Sequence, residues 1–164
     1  MTPSTFVKNE QGLYRVKGAV KPDEIVRVAA EILLEKLLDG EALTCPADTV
    51  QFLQMALGNA LEEQFCVLFL NSRHQVLAFE ALFTGTIDRS AVHPRVVVQR
   101  ALACNAAAVI LAHNHPSQDC EPSRSDREIT ERLVEALGLM DIRVLDHFVV
   151  SATQWMSLAE RGWL

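Results

Sequence analysis

Apolar residues recur along this chain in two rhythms, one of about 3.6 residues and one of about 2, and each switch between them marks a new element. From residue 1 to about 20 apolar positions are sparse. Short patches at Phe6-Val7 and Leu13-Tyr14 predict loose or strand-like structure. Pro22 opens a helix, with Asp23 and Glu24 well placed against the dipole of its first turn. Ile25, Val28, Ala29, Ile32 and Leu33 form its apolar stripe, and Gly40 is expected to end it. Such a stripe must pack on the main domain or on a second copy of the chain. Pro46 and Asp48 introduce a second helix, roughly 47–62, with Val50, Leu53, Leu57 and Leu61 on one side and Glu62-Glu63 closing it.

The rhythm then changes. Phe65-Cys-Val-Leu-Phe-Leu70 is a continuous apolar run and reads as a central strand. Asn71 to Gln75 is a turn and Val76 to Phe83 a second strand, so the two form a hairpin. Thr84-Gly85-Thr86 is a bend. His93-Pro94 starts a third helix, to about Asn105, with Val97, Val98, Ala101 and Leu102 inward. Ala106 to Leu111 is a buried strand running on into His113 and His115. Ser123 opens a helix to about Leu137, where Gly138 caps it. Ile142 to Val150 is a last long strand, and Thr153 can cap a short terminal helix ending near Arg161-Gly162. The order predicts an α/β fold with a single mixed β-sheet flanked by helices. We place an N-terminal extension with one amphipathic helix at 1–45 and the main domain at 46–164.

Chemistry concentrates where the third strand meets the helix after it. Successive strand side chains alternate faces, so His113 and His115 point the same way. Pro116 stops the strand, a polar loop follows, and Asp126 falls in the first turn of the helix that Ser123 opens. Two imidazoles at a strand end and one carboxylate at a helix start can converge on one point. An N,N,O set with an open fourth position is what a catalytic zinc site needs. Taken singly, Ser-x-x-Asp is also a plain capping arrangement.

Composition narrows the setting. Apolar residues make up 49% of the 164 positions, enough for a core, yet no run reaches the ~18 residues of a membrane span. The N-terminus shows no basic-then-apolar signal pattern, so a cytoplasmic protein is expected. Cys45, Cys66, Cys104 and Cys120 form no Cys-x-x-Cys pair. Cys66 and Cys104 read as buried thiols, and Cys120, in the loop beside the histidines, as a bystander rather than a regulatory thiol. The net charge is −6, with 15 basic residues against 21 acidic and no basic run, which argues against a nucleic-acid surface.

His113-Asn-His115-Pro-Ser117 followed by Pro122-Ser123-x-x-Asp126 resembles the JAMM (JAB/MPN) metalloprotease motif. With Leu145-Asp146-His147, Gly85-Thr86, His93-Pro94-Arg95 and the closing Glu160-Arg-Gly162, the chain from about 45 onward resembles the RadC family of JAMM-type proteins. One departure is Gln118, where that family usually has Gly. The resemblance implies a deaminase-like JAMM fold, one zinc ion on His113, His115 and Asp126, and a protein or peptide substrate cut at a peptide or isopeptide bond. Full-length RadC relatives also carry a helix-hairpin-helix domain, for which the stretch before residue 45 is too short.

The zinc ligands use one carboxylate, so the proton shuttle must come from another. In the JAMM family it sits where the first long helix of the domain hands over to its first strand, which favours Glu63 over Glu62. Glu80, a charge interrupting the apolar run Val76-Leu-Ala-Phe79, is the alternative. Ser123 or a nearby N–H can stabilise an oxyanion. His147 can support the ligands or simply pair with Asp146, and we expect the pairing. His74 reads as solvated, His93 as capping or packing, and Trp155 and Trp163 as packing anchors. The expected activity is a zinc-dependent hydrolase. The alternatives are a non-catalytic MPN scaffold and a metal-dependent phosphodiesterase associated with DNA repair, which would call for more carboxylates than the motif offers.

Overall fold

The computed structural model describes residues 5–39, 46–85 and 92–164. Gly40, Cys45 and Thr86 lie outside the described residues. The elements are β1 (Phe6–Lys8), β2 (Tyr14–Val16), α1 (Pro22–Leu38), α2 (Pro46–Leu57), β3 (Gln64–Leu70), β4 (Val76–Thr84), α3 (Pro94–Ala103), β5 (Ala108–Asn114), α4 (Arg124–Gly138), β6 (Arg143–Val150) and β7 (Trp155–Ser157). β1 and β2 form a small antiparallel hairpin of their own, and the other strands form one mixed sheet in the order β4-β3-β5-β6-β7.

Strand alternation splits the core into two layers. Cys66, Leu68, Leu70, Ala108, Ile110 and Ala112 face α2, with Leu33, Leu34 and Leu37 of α1 packed behind. Phe65, Val67, Phe69, Val109 and Leu111 face the other way, onto Val97 and Ala101 of α3 and Ile129, Leu133 and Leu137 of α4. Each Leu or Phe fully buried in this way contributes about 1.5–3 kcal/mol. β3 and β5 are therefore hydrophobic on both faces, as their unbroken apolar runs require. Among the described strands only β5 and β6 run parallel, and α4 makes the crossover between them. Their register skips one residue: Val109 lies opposite Val144, but Ile110 lies opposite Asp146.

Several boundaries differ from the sequence reading. α2 stops at Leu57, not near 62, because the chain must turn under Ala152. A Cβ on Gly58 would lie 2.7 Å from the Ala152 backbone. Leu61, expected on the buried side of α2, is consequently 94% exposed. No helix follows Thr153; Trp155–Ser157 instead adds a strand to the free edge of β6, and turns complete the chain. Leu102 of α3 and Ile25 of α1 are exposed, and α1 packs on α2 and β4 mainly through Leu33, Leu34 and Leu37. Gly138 is the last residue of α4, and the left-handed turn falls later, at Asp141 with φ 57°.

Candidate metal centre

Four side chains from three parts of the chain meet at the end of β5. His113 lies on β5, and His115 follows just beyond the strand's last residue. Asp126 sits at the third position of α4 and Glu63 immediately before β3. One ligand-type atom from each of these four residues lies within 4.8 Å of the others. The two imidazole Nε2 atoms are 3.1 Å apart. Asp126 Oδ1 lies 3.4 Å from His113 Nε2, and Oδ2 lies 3.6 Å from His115 Nε2.

The sequence folds this way for local reasons. α4 begins with a reciprocal capping box: Ser123 Oγ accepts the Asp126 N–H at 3.2 Å, and Asp126 Oδ2 accepts the Ser123 N–H at 2.6 Å. The cap fixes one carboxylate oxygen and leaves Oδ1 buried without a hydrogen-bond partner. A buried oxygen in that state is costly unless something cationic faces it. Burial pushes the Asp126 carboxyl up, but the neighbouring His113 and His115 and the Ser123 N–H outweigh it and hold the group well below the usual carboxylate range. Asp126 in turn raises His115 against an opposing effect of burial. Anionic oxygen beside two imidazole nitrogens is a donor set that suits a divalent transition metal. These residues form a group that can hold a metal ion.

The ring nitrogens turned away from the centre are also bound. His115 Nδ1 donates to the Asp119 carbonyl at 2.7 Å. His113 Nδ1 lies 2.8 Å from His147 Nε2, and His147 Nδ1 lies 2.6 Å from Thr130 Oγ1. His147 does not pair its ring with Asp146, as expected from the sequence; only its backbone N–H reaches that carboxylate, at 2.7 Å. Asp146 is spent on the Ser157 hydroxyl and the Ala159 N–H, which anchor the tail.

The candidate carboxylates separate cleanly. Glu63 belongs to the cluster, Glu62 is exposed, and Glu80 is held by the Arg100 guanidinium, with Nε 2.8 Å from Oε2. That hydrogen bond lowers Glu80 against a smaller effect of burial. Glu80 thus has its compensating charge on the strand and lies outside the centre.

Asn114, which the sequence reading passed over, and Gln118, noted there only as a departure from the family, set the position of Glu63. Asn114, buried between the two histidines, accepts the Gln64 N–H at 2.8 Å and donates to the Glu62 carbonyl at 3.1 Å. Its amide straddles Glu63. Gln118 adopts φ 66°, the left-handed region that explains a glycine preference there. Its side chain donates to the Gly58 carbonyl and accepts the Ala152 N–H, each at 3.1 Å. It thereby ties the histidine loop to the loop that leads to Glu63. An amide between two histidines, with both donors and an acceptor to place, was the available signal for Asn114.

Ser123 is exposed at the helix start, its oxygen engaged in the cap. Cys120 is buried against Val149 and Leu158, and burial pushes its thiol up, so it is a packing residue with low reactivity. Trp155 meets Phe148 edge-on, and the Trp163 ring meets the guanidinium groups of Arg127 and Arg161. His93 stands at the N-terminus of α3 and meets Phe83 edge-on. His74 is half-buried, 3.2 Å from Arg143. A groove of about 760 Å³, lined by Leu61, Glu63, Gly85, His115 and Pro116 among others, opens onto the centre.

A five-stranded mixed sheet between helix pairs, with a His-x-His strand end facing an Asp at a helix start, defines a JAB/MPN-type domain. Residues 43–163 match the family described as RadC-like JAB domain, and the chain belongs to that family. It is 51% identical over 147 residues to a UPF0758 protein of Xanthomonas campestris pv. campestris (strain 8004), covering 90% of this chain and 65% of that protein. A UPF0758 protein of Vibrio cholerae serotype O1 (strain M66-2) is 52% identical over 164 residues, covering 97% of this chain and 73% of its own length. One from Vibrio vulnificus (strain YJ016) is 49% identical with the same coverage. The chain thus spans about two thirds to three quarters of these relatives. Among the described residues no helix is long and apolar enough to cross a membrane.

Proposed function

We propose that the domain is a zinc-dependent hydrolase that cleaves an amide bond, peptide or isopeptide, in a protein or peptide substrate. The observation that carries this reading is the clustering of Glu63 with His113, His115 and Asp126 beside an open groove. His113, His115 and Asp126 would hold the ion, and Glu63 would stand beside it as a carboxylate that can move a proton. When bound, zinc supplies a Lewis acid and a water acidified to near neutrality. Glu63 takes the proton of the attacking water on a carboxylate oxygen and delivers it to the departing amine nitrogen. The Asn114 amide and the Gly85 N–H, 2.9 Å from the Glu63 carbonyl, keep that carboxylate aimed while the proton moves. The Ser123 hydroxyl gives its oxygen to the helix cap and keeps its hydrogen to donate to an oxyanion. The substrate would lie in the groove that Leu61 and His115 help to line.

The test is metal analysis of the purified chain, followed by hydrolysis assays on a panel of peptides and isopeptide-linked conjugates, with Glu63→Gln alongside. We expect about one zinc per chain in both proteins and a fall in turnover of ~10²–10⁴-fold in the variant. Native protein without zinc, or full activity in Glu63→Gln, overturns the assignment.

A further inference from the structure

The bonds behind His113 have a direction, and one hydroxyl sets it. Thr130 Oγ1 lies 2.5 Å from the backbone carbonyl of Asp126. Two oxygens that close must share a hydrogen, and a carbonyl has none to give, so the hydroxyl hydrogen points at Asp126. Thr130 Oγ1 can then only accept from its other neighbour, His147 Nδ1, at 2.6 Å. His147 is fully buried, and its two ring nitrogens face a hydroxyl and another imidazole, with no carboxylate among the described residues against the ring to balance a charge, so the ring is neutral. A neutral ring has one N–H, here on Nδ1, so Nε2 carries a lone pair. That lone pair accepts the His113 Nδ1–H at 2.8 Å. His113 is left with an unprotonated Nε2, the atom that faces His115 and Asp126.

We propose that Thr130 and His147 are positioning residues that lock His113 in the Nδ1–H tautomer, so that its Nε2 lone pair faces the metal centre before any ion arrives. The relay starts on the Asp126 backbone carbonyl and runs through Thr130 and His147 to His113, whose Nε2 lies 3.4 Å from the carboxylate of the same Asp126. One residue thus fixes both an oxygen donor and the tautomer of the nitrogen beside it. The opposite tautomer would aim an N–H at the centre and exclude a cation. The metal consequence rests on the reading under Proposed function, whereas the tautomer belongs to the metal-free chain.

The experiment has two readouts, on the full chain and on Thr130→Val and Thr130→Ser. Nitrogen-15 NMR of the imidazoles in metal-free protein reports which nitrogen of His113 carries hydrogen. Competition titration with zinc reports affinity. The native chain is expected to show His113 protonated at Nδ1. Thr130→Val keeps the shape, frees His147 to reverse, and is expected to mix the tautomers and weaken zinc by ~10–100-fold. Thr130→Ser restores the hydroxyl and both readouts. Native His113 protonated at Nε2, or a folded Thr130→Val with unchanged tautomer and affinity, overturns the relay. If the native chain shows the stated tautomer yet binds no zinc, the relay stands and the zinc assignment falls.

Discussion

His113 and Asp126 reach the centre from a strand and a helix, and their side chains are at most 1% exposed. His115 and Glu63 reach it from loops beside the groove, and the His115 side chain is 16% exposed. The first pair has little freedom: each is bonded on the side away from the centre, and moving either would break a cap or a relay. The second pair is held through loop backbone, His115 by the Asp119 carbonyl and the Glu63 stretch by the Asn114 amide. A rigid half suits holding an ion at fixed geometry. A half that can adjust suits handing a proton from an attacking atom to a leaving one.

Variants that break the rigid half should have the largest effect. Asp126→Ala and His113→Ala are expected to weaken zinc by more than ~100-fold, beyond the range for residues that only support a ligand. Asp126→Ala also loses the capping box of α4, costing about 0.5–2 kcal/mol. Full zinc occupancy in a folded Asp126→Ala removes Asp126 from the centre. Next comes Asn114→Ala on the adjustable side. It leaves the Gln64 N–H and the Glu62 carbonyl without their partner and should cost about 1–3 kcal/mol by denaturant titration. Zinc content should hold while turnover falls. Loss of zinc equal to that in Asp126→Ala would show that the two halves are not separable.

Gly58→Ala probes the contact beneath the Glu63 loop. Its new Cβ would lie 2.5 Å from the Gln54 carbonyl oxygen and 2.7 Å from Ala152. We expect about 1–3 kcal/mol of destabilisation, read as a lower denaturant midpoint. A neutral result would mean that the loop is not clamped there. The smallest effect is expected at Glu80→Gln, which breaks a pair with Arg100 at the sheet surface and should cost within about 1 kcal/mol. Zinc content and turnover should not change. A large drop in turnover there would return Glu80 to the list of candidate bases.

What could be read in advance was what is encoded close together. His113, His115, Ser123 and Asp126 fall within one strand-loop-helix passage, so strand alternation and a capping rule suffice to converge them. Glu63 joins them through the pairing of β3 with β5, Phe65 opposite His113, which periodicity alone does not reveal. The stop of α2 depends on Ala152, far along the chain, so the apolar rhythm ran on to Leu61. The last element was misread because Thr153 before Trp155 looks like a helix cap, whereas an open strand edge beside it decided the outcome. Asp146 beside His147 suggested a pair, but adjacent residues on a strand face opposite ways.

The skipped residue between β5 and β6 works like a shift of reading frame. With regular pairing from Ala108 opposite Arg143, His147 would stand opposite Ala112 and look toward α2. The extra residue at Leu145 moves it opposite Leu111, on the layer shared with α4. Counting, as much as chemistry, brings this imidazole to Thr130 and His113. Deleting Leu145 alone would make the ladder regular and leave His147 opposite Leu111, whereas drawing Leu145 into the pairing would turn His147 to the far side of the sheet and bring Asp146 into its place.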